Sequence, residues 1–463
     1  MSESKVPAAA ADSSSGYRAW VLFMLIVVYT FNFIDRQIIG ILAVPIQEEL
    51  GVSDTMMGLM RGLSFALLYS TLGVPIAWLA DRKSRVWIMT IALSAWSFMT
   101  MVCGLITTPV QLFLARMGVG VGEAGGVAPA YSIVSDYFPP EQRARALAIY
   151  SFGIPIGSAV GIVFGGVIAT VLDWRAAFLI VGALGLVLAP LFKLSVKEPV
   201  RGAYDAGPAP EPASVGEVLR VLLNKPSFWL LSIGAASSSM MGYGLFAWIP
   251  ALLVRSYADV LPDFFFWAPE FLLPSGAPTL LYAAYFYGTV VLIGGLIGIF
   301  MGGYLADSMG KRSKGAYALI PGLAFLATAP FLLIATLSDS IFLVFFVMII
   351  PTALSLAWLG PVLAAFQHIV KPNMRATASA IFLLINNLIG IGAGDVILGG
   401  LSDALSSQYG DESLRYSIMW GASFYLVSAG LLIFASRILH KDWEEGEAAP
   451  AAQGETTEQK DPA

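Results

Sequence analysis

Ala77-Trp78-Leu79-Ala80-Asp81-Arg82-Lys83-Ser84-Arg85 closes one apolar run and opens another. Gly303-Tyr304-Leu305-Ala306-Asp307-Ser308-Met309-Gly310-Lys311-Arg312 does the same half a chain later. Each sets an acid at the end of an apolar run and a basic cluster just beyond it. Two more echoes follow in the same order: Arg143-Ala144-Arg145-Ala146-Leu147-Ala148 beside Arg375-Ala376-Thr377-Ala378-Ser379-Ala380, and Trp174-Arg175 beside Leu414-Arg415. The chain therefore reads as two copies of one plan. A parallel repeat of apolar spans is the architecture of carriers that rock one half against the other around a midplane site.

Working outward from those turns, apolar runs bounded by charge, Pro or Gly fall at 17–43, 56–80, 86–105, 109–133, 145–171, 175–194, 228–253, 279–306, 317–337, 341–369, 376–401 and 416–439. Crossing the hydrocarbon core takes about 20 such residues, so the reading is an all-α membrane protein of twelve transmembrane helices in two pseudo-symmetric six-helix bundles. The bundles span 17–195 and 227–440, joined by a charged, Pro-rich linker at 196–226, with disordered tails at 1–16 and 441–463. The 463 residues are 57% apolar and only 12% charged, half the charged share of an ordinary soluble domain at about 25%. One cysteine, Cys103, forms no internal bridge, and with two histidines, His368 and His440, it makes no recognisable metal or haem site. A net charge of −5 leaves no basic footprint for nucleic acid.

Of the 26 Lys and Arg, three fall inside spans (Arg36, Arg61, Arg116) and three at one set of loops (Arg175, Arg255, Arg415); the rest belong to the other loops and the tails. By the positive-inside rule both termini face the cytoplasm. The first run is too long for a signal-peptide core. Short loops point to a bacterial inner membrane.

The G-x-L-x-D-R-x-G-R pattern of the two turns resembles the signature loop of the major facilitator superfamily. So does the ladder Gly153, Pro155, Gly157, Gly161 and Gly165 in the fifth span. Within that superfamily Asn32-Phe33-Ile34-Asp35-Arg36, Arg116-Met117-Gly118-Val119-Gly120-Val121-Gly122-Glu123-Ala124 and Ile154-Pro155-Ile156-Gly157-Ser158-Ala159-Val160-Gly161 resemble the Spinster family of lysolipid and sphingolipid transporters. The resemblance implies the major facilitator fold and transport of an amphipathic lipid. An Asp-Arg pair in the first span also occurs in carriers of organic and sugar acids.

A charge at a helix centre costs roughly 2.5–3.5 kcal/mol on insertion scales and normally faces a bundle interior or a wet cavity. This chain places Asp35, Arg36, Arg61, Arg116, Glu123 and Asp395 inside its spans. Five of them fall in three helices of one half, which favours a shared cavity over ion pairs that merely glue helices together. Arg116 and Glu123 lie about two turns apart on one face, whereas the neighbours Asp35 and Arg36 diverge by about 100° and so border a cavity only at its edge. Burial and a nearby arginine act oppositely on a carboxylate, and the balance lets it titrate during transport. Glu123 is the first choice of proton carrier and Asp35 the second. Arg36, Arg61 and Arg116 serve as their counter-ions and as docking points for an anionic headgroup.

The second half offers aromatic and amide candidates for the facing wall: Tyr243, Phe246, Tyr282, Trp358, Phe382, Asn386 and Asn387. A cavity charged on one side and aromatic on the other suits an amphipathic anion. Resemblance to the superfamily implies that Asp81 and Asp307 gate one side by facing helix starts in the other half, near Arg375 for Asp81 and near Arg143 and Arg145 for Asp307, with Arg82, Arg85, Lys311 and Arg312 in the same turns. The competing reading gives those basic turns a topological role alone. Glycines recurring every fourth residue in the fifth span let another helix approach closely. The segment 255–278, with Phe264, Phe265, Phe266, Trp267 and Phe271, lies in the outer interface or caps the cavity.

Gly120-Val121-Gly122-Glu123-Ala124-Gly125 matches the dinucleotide fingerprint but sits within an apolar span, without the strand and helix opening that the fingerprint needs. No Walker lysine motif is present, which argues against ATP-driven transport. The expectation is a monomeric, non-enzymatic, proton-coupled secondary transporter of an amphipathic anionic lipid, without cofactor, metal or nucleic-acid partner. The alternatives are a proton-coupled carrier of small organic or sugar acids and a membrane receptor.

Overall fold

The computed structural model describes residues 14–204, 213–274, 276–310, 313–371 and 374–443. All regular structure among them is helical. Ten stretches are long and apolar enough to cross a membrane, and they resolve into the twelve expected rods. The stretch Thr377–Asp442 folds back on itself as the eleventh and twelfth spans around a turn at Gly410–Glu412. The fourth span is cut into Pro109–Glu123 and Val127–Tyr137 by a break over Ala124-Gly125-Gly126. Nearly all of the expected tails lies outside the described residues. Ser14 caps the first helix, Ser15–Ile41, and the last runs to Asp442.

The remaining spans are Asp54–Ala80, Arg85–Cys103, Arg145–Val171, Trp174–Ser195, Pro226–Ser256, Thr279–Gly310, Ala316–Leu337 and Ile341–Ile369 in chain order. The linker carries a short amphipathic helix, Val215–Leu223, with Val218 and Leu222 buried. The repeat is visible in the packing: the first span lies on the fifth as the seventh lies on the eleventh. Both contacts are made by glycines. A Cβ at Gly157 would overlap the Thr30 carbonyl, and one at Gly161 would come 2.8 Å from the Ile34 backbone; across the copy, a Cβ at Gly394 would overlap the Met240 carbonyl. Gly153 and Gly165 face Tyr29 and Ile38 on the same first span, so the ladder does pack one helix against another.

Overpacking such a contact destabilises by about 1–3 kcal/mol. Gly157→Val is therefore expected to lower the melting temperature of the detergent-purified protein. Gly73→Val, where a Cβ meets nothing within 4 Å, should leave it unchanged. Equal melting of the two variants would remove close approach as the reason for the ladder.

The halves meet along two seams. On one, the second span touches the eleventh from Asp54 against Gly399 to Ala66 against Gly392; on the other, the fifth touches the eighth from Gly166 against Ala284 to Pro155 against Gly295. Beyond Ala66, towards Asp81, Leu67, Val74, Trp78 and Leu79 are exposed. The halves are thus joined at the end remote from the termini. At that joined end Phe264 and Phe265 pack into the second half, leaving Phe266, Trp267 and Phe271 exposed.

Candidate functional site

The charged residues of the first, second and fourth spans come together midway along the bundle. Arg36 Nε donates to Glu123 Oε2 at 2.6 Å, and Glu123 is completely buried. Arg116 Nη1 lies 3.6 Å from Asp35 Oδ1, while the Thr100 hydroxyl donates to Asp35 Oδ2 at 2.5 Å. Arg61 Nη2 reaches across to Asp395 Oδ2 at 3.4 Å. The same-face spacing of Arg116 and Glu123 sends both to the first span, and the divergence of Asp35 from Arg36 divides the two partners between them.

Local structure explains the placement. Glu123 ends its helix just before the glycine break, where Gly122 lies against Trp96 and Gly120 against the Phe65 carbonyl; the false dinucleotide motif is a close helix contact. Arg61 sits in a π-helical turn, Leu59–Leu63, of the kind that recurs at functional sites. The Arg36 guanidinium lies 4.6–5.2 Å from the rings of Tyr69, Phe65 and Phe33, which replace part of its lost hydration by cation–π attraction.

Arg36, Arg61 and Arg116 line one cavity between the halves, with Asp395, Tyr243, Phe246 and Ile391 on its second-half side. Each arginine keeps a guanidinium nitrogen without a hydrogen-bond partner in the protein: Arg36 Nη2, Arg61 Nη1 and Arg116 Nε. Buried donors left unpaired are costly, so the cavity is chemically prepared to receive an oxyanion. Of the expected aromatic wall, Tyr243 and Phe246 are in place. Tyr282 instead packs on Phe265, and Phe382 lies between Trp358 and Phe366 in the second half's interior, where their large apolar areas are buried. Asn386 is buried and accepts from the Ser239 hydroxyl at 2.8 Å; Asn387 is half-buried.

The turns expected to gate differ from one another. Asp81 is exposed, and its backbone carbonyl, with those of Ala80 and Lys83, accepts from Arg201 of the linker. Arg82 folds back over Trp78 at 3.9 Å. Arg85 turns away from the other half: buried, it holds Asp136, Ser132 and the linker residues Glu198 and Pro199. Burial pushes the Glu198 carboxyl up, but the Val86 amide, the Ser84 hydroxyl and Arg85 outweigh it and hold the group below its ordinary value. That grip is complete above the ordinary glutamate range and is lost as pH falls through the lowered value. Arg145 is exposed and Arg143 donates to the Phe138 carbonyl; Arg375 opens the eleventh span, half-buried. The side chain of Asp307, and Lys311 and Arg312 altogether, lie outside the described residues.

Sequence reading missed the network that joins the halves. Arg255, assigned there only to a loop, makes two hydrogen bonds to Asp54, at 2.7 and 2.8 Å, and one to Gln47 at 3.0 Å. Asp403 accepts from the amides of Asp54 and Thr55, and the Ser402 hydroxyl donates to Asp54 at 2.6 Å. The one signal was Ser53-Asp54 at a helix start, where an acid favours the helix dipole.

Residues 25–394 match the Major Facilitator Superfamily. An MFS-type efflux pump of Mycolicibacterium smegmatis is 33% identical over 434 residues, 93% of this chain and 96% of that protein. Protein spinster homolog 1 of Homo sapiens is 30% identical over 427 residues, 88% of this chain and 78% of its own. The chain belongs to the Spinster family of the major facilitator superfamily. A crystal structure of a bacterial homolog to the human lysosomal transporter Spinster, inward-facing and unoccupied, superposes with a TM-score of 0.80 at 31% identity, covering 95% of this chain and 100% of that one. The protein is thus a multi-pass membrane transporter of Spinster type.

Proposed function

We propose that this Spinster-family protein is a proton-coupled secondary transporter of an amphipathic anion, a lysophospholipid or sphingoid phosphate, working by alternating access in a bacterial plasma membrane. The observation that carries the reading is the cavity between the halves, where three arginines from three spans face Tyr243, Phe246 and Ile391. Guanidinium groups suit phosphate or carboxylate, and the apolar wall suits a hydrocarbon tail. Glu123 and Asp35, each ion-paired with one of those arginines, are the proton carriers. The basic turns favour a cytoplasmic position for both termini, and the halves, joined at the end remote from the termini, then part towards the inside. In the outward-open state Asp81 and Asp307 meet the helix starts at Arg375 and Arg143 and close that side.

The test is uptake into proteoliposomes under an imposed pH gradient. Radiolabelled lysophosphatidylglycerol should accumulate and collapse when the gradient is dissipated, with glucuronate neither transported nor competing. Accumulation of glucuronate alone would transfer the protein to the organic-acid carriers, and indifference of lysophospholipid uptake to the gradient would end the proton assignment.

A further inference from the structure

Among the described residues, three ion pairs gather at the cavity, and only Arg61–Asp395 joins the two halves. At 3.4 Å it is longer than the Arg36–Glu123 contact at 2.6 Å and close to the 3.6 Å of Arg116–Asp35. Arg61 Nη1 and Asp395 Oδ1 have no hydrogen-bond partner in the protein, although both side chains are nearly buried. The surroundings hold the two groups in register without satisfying them. Gly58 and Gly62, on either side of Arg61, lie directly on the backbone of Asp395 and Ile391. Trp248 braces both partners: its ring lies 4.8 Å from the Arg61 guanidinium, and its Nε1 donates to the Asp395 carbonyl at 3.1 Å. Glu123 Oε1 and Asp35 Oδ1 are likewise unpartnered, so what sets this pair apart is that it alone spans the halves at the cavity while leaving atoms on both partners free for a ligand.

We infer that Asp395 is a positioning counter-ion that occupies Arg61 in place of substrate: an entering oxyanion, phosphate or carboxylate, takes Arg61 from it and so unlinks the second span from the eleventh at the cavity. This rests on the anion-transport reading and names the residue through which the second half senses the anion. A carboxylate displaced in this way faces Arg116 across the cavity, with Arg36 and Tyr243 as the other ionisable groups on its walls. Asp395 competes with substrate for one cation, so its effect on anion affinity is opposite in sign to that of a residue that binds substrate directly.

The experiment measures binding of lysophosphatidylglycerol, glucuronate and uncharged monoolein to the detergent-purified full chain by thermophoresis. Asp395→Asn should tighten binding of the transported anion by about tenfold or more, a change of at least about 1.4 kcal/mol, and leave monoolein unchanged. Arg61→Gln should abolish the anion's advantage. Arg61→Gln with Asp395→Asn, which removes both charges and leaves neither stranded, should bind as weakly as Arg61→Gln alone. Unchanged or weakened anion binding by Asp395→Asn overturns the inference while leaving lipid transport standing. Tightening for glucuronate alone supports the inference and sinks the lipid assignment. Failure of both wild type and Asp395→Asn to bind either anion overturns both.

Discussion

Glu123→Gln is expected to abolish accumulation driven by a proton gradient while exchange of labelled for unlabelled substrate continues. The substitution keeps the shape of the side chain and an oxygen to accept from Arg36 Nε, whose bond to Glu123 is 2.6 Å. It removes the charge and the proton. Arg36 then loses its counter-ion, but the three aromatic rings around it still attract the cation, each by about 0.5–2 kcal/mol, so the fold should survive. General acid–base groups typically contribute a factor of about 10² or more to the steps they serve, and gradient-driven uptake should fall by at least that order. Uptake in proteoliposomes with the gradient on and off, beside counterflow at equal pH, separates the two. Gradient-driven accumulation at wild-type level would move the proton site to Asp35 or elsewhere.

Arg255→Gln is expected to open the end remote from the termini. Arg255 holds Asp54 with a two-point bridge that crosses from the seventh span to the second, and hydrogen bonds to charged groups are each worth about 1.5–3 kcal/mol. Loss of about 2 kcal/mol shifts a two-state equilibrium by about thirtyfold. Asp54 keeps Gln47 and Ser402 as donors, so the variant weakens the seam without emptying it. Spin labels on cysteines replacing the exposed Glu48 and Ser407, in a Cys103→Ser background, should show a longer-distance population absent from the wild type. An unchanged distance distribution would make the bridge incidental to the conformational cycle.

The fold was legible because hydrocarbon thickness sets the length of each span and because the two signature turns mark the repeat. Breaks within spans were less so. Nothing in hydropathy distinguishes the interruption at Ala124-Gly125-Gly126 from continuous helix, since small apolar residues suit both. At the site, the charged positions in apolar runs were conspicuous because each is costly there. The same-face relation of Arg116 and Glu123 followed from helical geometry alone. Which arginine meets which carboxylate did not, because partners such as Arg61 and Asp395 stand on opposite halves and their register depends on how the bundles dock. The Asp54–Arg255–Asp403 network escaped for a related reason: its members lie at span ends, where polar residues are ordinary, and only tertiary packing makes them neighbours. Aromatic residues such as Phe382 and Tyr282 were placed on the cavity wall by composition, yet ring packing drew them into the second bundle.

The seat of the bound anion is the decisive feature of the transport cycle proposed for this chain. A structure of the protein with bound lysophosphatidylglycerol should place the headgroup phosphate within hydrogen-bond distance of at least two of Arg36, Arg61 and Arg116, with the acyl chain against Tyr243, Phe246 and Ile391. Headgroup density on the lipid-facing surface, with all three ion pairs unchanged and the cavity arginines untouched, would contradict it.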